Sequence, residues 1–243
     1  MKHPNEHPVV ARNWRGESPE ERRLQRRERL MEASLEAFSQ HGIEKTTMRD
    51  ICAQARLTER YFYESFRNTE DAFDAVYAML KQELVERVST ALARAPLNIP
   101  QLARDGLAAF YNFIKEDPRR AQIMLIDAFY ANRKTLDKSR DAVKEYVVII
   151  DQLSRRLYPN MPANFDIEMV AWGLIGMCIQ VGTMWAASGF KQPLDKILDY
   201  NLYAWRGLES WIDGPPPNGK VASLKAPAKT ASANRSRRKP SVT

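Results

Sequence analysis

Apolar residues recur every three or four positions along most of this 243-residue chain, and no stretch alternates between apolar and polar residues as a strand would. That spacing places the apolar side chains of a stretch on one face of an α-helix. Prolines, glycines and N-capping residues divide the pattern into about nine helices, so we predict an all-α fold. After residue 66 the predicted helices cover residues 70–94, 98–116, 118–130, 143–157, 165–188 and 193–212.

The most informative stretch is TTMRDICAQARLTERYFYESF, residues 46–66, whose pattern predicts two short helices joined by a tight turn. Thr47 and Thr58 stand where the two helices begin, and threonine is a favourable N-cap residue. In the second helix Phe62 and Phe66 are four positions apart and therefore share its buried face, which leaves a polar and aromatic face outside. A helix pair of this kind carries no chemistry of its own but fits the major groove of DNA.

A third helix is predicted ahead of this pair, over residues 22–41, with Gly42 at its C-terminal cap. The three helices can close around one core, formed by Leu30, Phe38, Ile51, Leu57, Phe62 and Phe66. Residues 30–73 resemble the DNA-binding domain of the TetR family of transcriptional regulators. The matching residues are Leu30, Ala33, Phe38, Gly42, Thr46, Thr47, Ile51, Ala55, Leu57, Thr58, Phe62, Tyr63 and Phe66.

Three positions depart from the usual pattern of the family. Arg56 stands in place of the turn glycine, Ser65 in place of a histidine or tyrosine, and Thr69 in place of a lysine. Arg56 must then accept a left-handed backbone, which costs a non-glycine residue about 1 kcal/mol. Thr69 removes a cation that the family places against a phosphate, and Arg67 is the nearest replacement. The resemblance still implies an N-terminal helix-turn-helix domain followed by a larger helical domain for ligand binding and dimerisation.

The resemblance assigns base reading to the second helix of the pair, and its outward side chains suit that role. Arg60 can donate to guanine O6 and N7, while Tyr61 and Tyr63 can pack on a thymine methyl group or bond a phosphate. Glu59 or Glu64 can accept from cytosine N4. The predicted DNA-binding residues are Thr47, Arg49, Thr58, Glu59, Arg60, Tyr61, Tyr63, Ser65 and Arg67.

The net charge adds little to this prediction, but the distribution of charged residues along the chain adds to it. The formal net charge is +7, yet seven of the cations lie after residue 213, where no acidic residue occurs, so residues 1–213 are net neutral. Five arginines crowd the start of the first helix: Arg22, Arg23, Arg26, Arg27 and Arg29. They can form a basic arm along DNA. The alternative is a solvated helix end that the interleaved Glu20, Glu21 and Glu28 neutralise.

Composition predicts four segments. Residues 1–20 are expected to be a disordered arm, 21–68 the helix-turn-helix domain, 69–213 the regulatory and dimerisation domain, and 214–243 a disordered basic tail. The tail can add sequence-independent affinity for DNA, or it can simply keep the chain soluble.

Residues 170–190 include no charged side chain over 21 positions. Length alone makes this stretch a candidate membrane span, but its glycines, Gln180 and the polar N-terminal thirty residues argue against that. We expect a helix buried between its own domain and a second copy of the chain. The family resemblance implies a four-helix dimer interface, for which the predicted residues are Val181, Trp185, Leu198, Leu202 and Trp205. Such a dimer suits a near-palindromic operator in double-stranded DNA.

Regulators of this kind are expected to bind a small molecule between the helices of the second domain. The predicted apolar lining is Phe110, Tyr111, Ile114, Met124, Trp172 and Ile175, although core packing explains the same residues equally well. No histidine triad, metal cluster or phosphate-binding loop is apparent, so no enzyme activity and no cofactor is predicted. Cys52 and Cys178 are expected to be buried and reduced, as suits the cytoplasm.

The sequence thus predicts a homodimeric transcriptional regulator, expected to repress and to respond to an apolar or aromatic effector. The alternative from another class is an all-α carrier of lipids or small molecules, attached to a membrane through residues 170–190.

Overall fold

The computed structural model describes residues 18–128, 133–159, 161 and 165–212. Within these ranges the regular structure is nine α-helices and one π-helix, without a strand, which confirms the predicted all-α class. The α-helices are α1 (Pro19–His41), α2 (Met48–Ala55), α3 (Glu59–Ser65), α4 (Thr69–Arg94), α5 (Ile99–Glu116), α6 (Pro118–Ala121), α7 (Arg133–Leu157), α8 (Ile167–Ala187) and α9 (Leu194–Ile212). The predicted basic tail and most of the predicted N-terminal arm lie outside the described residues.

Helix α1 begins three residues earlier than the periodicity predicted. Ser18 is its N-cap: the Ser18 hydroxyl accepts from the Glu21 amide at 3.1 Å, and the Glu21 carboxylate accepts from the Ser18 amide. This reciprocal pair satisfies two amides that a helix start otherwise leaves without partners, and Pro19 suits the first helical position. Residues 18–20, which composition assigned to a disordered arm, therefore belong to the helix and its cap.

Helices α1, α2 and α3 close around a common apolar core. Leu30, Phe38, Ile51 and Phe62 are completely buried, and Phe66 is almost so. The Phe38 ring also meets the Phe73 ring of α4 edge-on, with 5.2 Å between centroids. Because aromatic edge-to-face pairs pack both rings firmly, α4 joins the three-helix unit to the rest of the molecule through this contact.

The chain between α5 and α7 departs from the prediction of one regular helix over residues 118–130. Helix α6 is a single turn, and a π-helix, Gln122–Asp127, follows it directly. Asp127 is buried at the end of the π-helix, where its Oδ1 atom accepts from Gln122 Nε2 at 2.9 Å. Burial raises the pKa of Asp127. A Cβ atom on Gly42 would lie 3.9 Å from Asp127 Oδ1, so the π-helix ends against the end of α1. The predicted end of this helix, near residue 130, lies outside the described residues.

Helix α8, which contains most of the charge-free stretch 170–190, is covered by its own chain on one side only. Its buried residues are Ile167, Ala171, Leu174, Cys178, Gly182 and Trp185. At Gly182 the helix approaches α5 and the π-helix so closely that a Cβ atom would lie 3.3 Å from side-chain atoms of Ile114 and Leu125. By length and composition α8 is the one candidate membrane span among the described helices, and 28% of its most apolar window is buried.

Candidate DNA interface and effector cavity

Helix α2 starts at a second reciprocal cap. The Thr47 hydroxyl accepts from the Asp50 amide at 3.3 Å, and the Asp50 carboxylate accepts from the Thr47 amide at 2.8 Å. The Thr47 hydroxyl also donates to the Asp50 carboxylate at 2.7 Å, and this bond together with the bond from the Thr47 amide holds the pKa of the Asp50 carboxyl below its ordinary value. The cap leaves the Thr47 side chain exposed beside the first turn of α2, where backbone amides favour an anion.

The turn between α2 and α3 has the left-handed conformation at Arg56 that the sequence predicted. Arg56 has φ 51° and ψ 46°, in the left-handed region, as predicted from the missing glycine. Its amide donates to the Ala53 carbonyl at 3.1 Å, and the Leu57 amide donates to the Cys52 carbonyl at 3.0 Å. The turn therefore ends α2 without leaving these carbonyls unpaired.

The aromatic face of α3 packs against the core, and its polar face is exposed to solvent. Phe62 is completely buried, whereas Tyr63 is 60% exposed and the side chain of Arg60 is 84% exposed. Of the nine predicted DNA-binding residues, seven are exposed: Thr47, Arg49, Thr58, Glu59, Arg60, Tyr63 and Arg67. Tyr61 and Ser65 are half-buried. The helix pair thus presents one continuous exposed face.

Three of the arginines of α1 hold the helix pair in place. The guanidinium of Arg26 lies over the Tyr61 ring, 4.4 Å from its centroid, which is why Tyr61 is half-buried. Arg27 lies over the Phe66 ring at 4.6 Å. Two of these arginines also donate hydrogen bonds to carbonyls at the ends of helices. Arg27 donates to the Ser65 carbonyl at 2.8 Å, and Arg29 donates to the Ala55 carbonyl at 2.7 Å. These three residues therefore contact the helix pair, and the role of the basic cluster on DNA stays a prediction.

Three exposed arginines at the helix pair are paired with nearby carboxylates. Arg60 lies 3.1 Å from Glu64, and Arg49 lies 3.4 Å from Glu59. Arg67, the predicted replacement for the family's lysine, lies 2.7 Å from Asp71 of α4. Exposed pairs of this kind contribute about 0–1 kcal/mol, so phosphates or base edges can replace them at little cost.

A cavity lies between α4, α5, α7, α8 and the π-helix. The volume of the cavity is about 190 Å³, not counting the open solvent at its mouth. Its wall is largely aliphatic and aromatic, with Tyr77, Lys81, Tyr146 and Ser154 as the polar exceptions. Of the six predicted lining residues, the structure places Phe110, Met124 and Ile175 on this wall.

The other three predicted lining residues are not on the cavity wall. Tyr111 and Ile114 are completely buried in the core, where the Tyr111 hydroxyl donates to the Cys178 carbonyl at 3.2 Å and its ring meets Trp185. Trp172 is half-buried on α8. Helical spacing could not separate these residues from Phe110, because neighbouring positions on α5 face two different layers of the core.

The predicted dimer interface also requires correction. Trp185, Leu198 and Leu202 are buried within their own chain, so they leave no surface for a second copy; Val181 is half-buried, and the side chain of Trp205 lies outside the described residues. The apolar side chains of α9 pack against α5 instead. The exposed residues of α8 and α9 include Met169, Gly173, Gly176, Gln180, Met184, Tyr200 and Tyr203, together with the charged Glu168, Asp195, Lys196, Asp199 and Arg206. Sequence periodicity marked both helices as broadly apolar but could not tell which side the chain itself covers.

Comparison with known proteins identifies the helix pair. Residues 30–76 match the model of the bacterial regulatory proteins of the tetR family. A protein of Escherichia coli strain K12 named "Probable acrEF/envCD operon repressor" is 28% identical over 106 residues, 42% of this chain and 47% of that protein, so the chain spans about half the length of that relative. The HTH-type transcriptional activator FasR of Mycolicibacterium smegmatis is 24% identical over 190 residues, 76% of this chain and 84% of that protein.

Solved structures share the fold over about three quarters of this chain. The transcriptional regulator FadR from Bacillus subtilis, in complex with stearoyl-CoA, superposes with a TM-score of 0.62 at 17% identity, over 72% of this chain and 95% of that one. A TetR-like regulator from Rhodococcus sp. RHA1 gives a TM-score of 0.63 at 21% identity, over 76% and 96% of the two chains. The family match covers the capped, exposed helix pair and the core beneath it, so residues 30–76 match the bacterial regulatory proteins of the tetR family.

Proposed function

We propose that this protein is a transcriptional regulator of the TetR family, a homodimeric, cytoplasmic repressor that binds a near-palindromic operator and leaves it when an apolar or aromatic molecule fills the cavity. The observation that carries the proposal is the exposed front of α3, above all Arg60, which projects from a helix whose back is fully buried. A rigid helix with outward donors is what major-groove reading requires.

Each residue of the helix pair has a proposed role. Arg60 donates to a guanine, Tyr63 packs on a thymine methyl group, and Thr47 and Thr58 bind phosphates at the starts of α2 and α3. Tyr61 contributes through the ring edge that Arg26 leaves free. The remaining predicted residues, Arg49, Glu59, Ser65 and Arg67, flank this central set.

Dimerisation is proposed to use the exposed face of α8 and α9. Gly173 and Gly176 lie on that face and allow a second helix to approach closely, while Met184, Tyr200 and Tyr203 supply apolar area. A two-fold dimer would place its two α3 helices about 34–36 Å apart, one turn of DNA, and so match two half-sites.

The effector is proposed to act through the cavity. The wall is mostly apolar, and the FadR structure that shares this fold contains stearoyl-CoA, a molecule with a long apolar chain. The wall includes Tyr77 and Lys81 of α4, the helix that carries the α1–α3 unit, so a ligand there can change the separation of the two α3 helices. Because coupling between sites is reciprocal, operator DNA should weaken effector binding by the same factor.

A gel-shift experiment tests the DNA-binding part of the proposal. The purified protein is titrated against its own upstream region and against random DNA at two salt concentrations, since non-specific binding falls steeply with salt. We expect Arg60→Ala to cost about 1–3 kcal/mol at one base position and to relax preference there. The matched control is Arg155→Ala on α7, which also removes an exposed arginine paired with a carboxylate four positions earlier. Equal affinity for both DNAs would contradict sequence-specific regulation.

The rival function is a membrane-attached carrier, which the length and composition of α8 favour. Its exposed face is interrupted by Gly173, Gly176 and Gln180, which suits a close protein contact better than lipid. Cell fractionation separates the two functions: extraction as a dimer without detergent excludes the carrier, whereas extraction that requires detergent excludes the repressor.

A further inference from the structure

Polar groups gather on one side of the cavity. Lys81 Nζ lies 2.6 Å from Glu145 Oε1, and Glu145 precedes Tyr146, which lines the wall. Tyr77 is close enough to Tyr146 to raise its pKa. From Lys81 the α4 part of the wall continues through aliphatic side chains to Leu92. An α-helix rises 1.5 Å per residue, so Lys81 and Leu92 are roughly 16 Å apart along α4. The cavity is therefore long, and three of its four polar side chains lie toward one end; Ser154 is the exception, eight residues beyond Tyr146 on α7.

The hydroxyl of Tyr146 is the unusual group at the polar end. Its Oη atom is buried and makes no hydrogen bond to any residue that the structure describes. Burial raises the pKa of Tyr146, so the hydroxyl keeps its proton at neutral pH and remains a donor. By contrast, the buried hydroxyl of Tyr111 donates to the Cys178 carbonyl. A buried donor without a partner is costly, and a ligand that supplies an acceptor recovers that cost.

We infer that the cavity binds an elongated apolar molecule with an oxygen acceptor at one end, and that Tyr146 donates a hydrogen bond to that oxygen. Lys81 lies at the same end, where it can donate to a negatively charged acceptor if its ammonium group leaves Glu145. Carboxylic acids and acyl esters share this chemistry. The inference rests on the proposed effector role of the cavity and adds the chemical class and the orientation of the effector.

Three probes with the same dodecyl chain test the inference by calorimetry on the full-length protein. Dodecanoate carries a charged acceptor, methyl dodecanoate an uncharged acceptor, and dodecylammonium no acceptor. We expect the acid and the ester to bind the unmodified protein about tenfold more tightly than the ammonium ion or better, the effect of one well-placed hydrogen bond.

Variants separate the two polar groups. Tyr146→Phe should remove most of the advantage of the uncharged ester, and Lys81→Met should reduce the affinity for the acid more than that for the ester. Tyr111→Phe is the matched control, because it removes a buried hydroxyl that lies off the cavity wall, and it should leave the order of the three probes unchanged. If Tyr146→Phe does not fold, the affinities of the three probes for the unmodified protein and for Lys81→Met test the inference instead.

The outcomes distinguish this inference from the proposed function. Equal affinities for all three probes, or an ester preference that survives Tyr146→Phe, would overturn the inference alone. Head-group discrimination without any effect on operator binding would support the inference and overturn the effector role. If none of the probes binds, both the inference and the apolar-effector proposal are wrong.

Discussion

The guanidinium of Arg119 lies 2.7 Å from the carboxylate of Glu32, although the two residues are 87 positions apart in the chain. The same guanidinium donates to Glu36 at 2.9 Å and to Asp117 at 2.8 Å. Arg119 belongs to α6 and both glutamates belong to α1, so this cluster of charges joins the regulatory helices to the DNA-binding unit. Met124 of the adjoining π-helix lines the cavity. The cluster therefore lies between the proposed effector and the helix pair.

Replacing Arg119 by methionine tests whether this cluster transmits the effector signal. The change removes one partner from several hydrogen bonds to charged groups, and we expect the free energy of unfolding to fall by about 1–3 kcal/mol. Effector affinity should persist, whereas release from the operator should weaken. Chemical denaturation and effector-dependent gel shifts measure the two quantities. Arg155→Met, whose ion pair lies within α7, is the control. Unimpaired release by Arg119→Met would show that the cluster has a structural role only.

Asp127 predicts a dependence of stability on pH. Burial raises its pKa in the folded state, so its contribution to stability is fully present below the ordinary value of 3.8 and is lost as pH rises through the raised pKa. Asp127→Asn keeps an acceptor for Gln122 and removes the charge. We expect this variant to be more stable than the unmodified protein at pH 7, with the difference shrinking as pH falls toward 3.8. Denaturation curves across this range measure it, and a difference independent of pH would contradict the assignment.

The left-handed turn at Arg56 predicts a stabilising substitution. Glycine adopts φ 51° without the steric cost that Arg56 bears, although it loses more freedom on folding. We expect Arg56→Gly to raise the free energy of unfolding by about 0.5–1 kcal/mol, whereas Arg56→Ala, which keeps the strain, should not. Thermal unfolding of the two variants provides the comparison. If Arg56→Gly and Arg56→Ala changed the free energy of unfolding equally, the turn would store no strain.

The fold could be predicted from the sequence where local signals agree. The capping threonine at Thr47, the buried pair Phe62 and Phe66, and the turn at Arg56 are each encoded within a few residues, and the structure has them all. The stacking of Arg26 on Tyr61 joins residues 35 positions apart, and no local pattern marks it. Burial of Leu198 depends on which helix covers α9, which is equally non-local.

The exposed face of α8 and α9 predicts where a single charge should break the proposed dimer. Met184 is 57% exposed on that face, and Met184→Glu would place a charge in an apolar contact. We expect a monomer by light scattering and a large loss of operator affinity, because one half-site then binds alone. Met79→Glu changes an exposed methionine on α4, outside this face, and should leave the dimer intact. A dimeric Met184→Glu protein would place the interface elsewhere.

The π-helix gives this protein a segment that can change its length and rotation. Its hydrogen bonds span five residues rather than four, so Gln122–Asp127 stores more backbone than an α-helix of equal length along its axis. If one such turn tightened to α, the chain after it would rotate by about 100° relative to α6, the angle that one residue occupies in a helix of 3.6 residues per turn. The part of the cavity wall that contains Met124 can thus change its conformation around a bound ligand. Arg119, one turn earlier, meanwhile keeps its hydrogen bonds to the glutamates of α1.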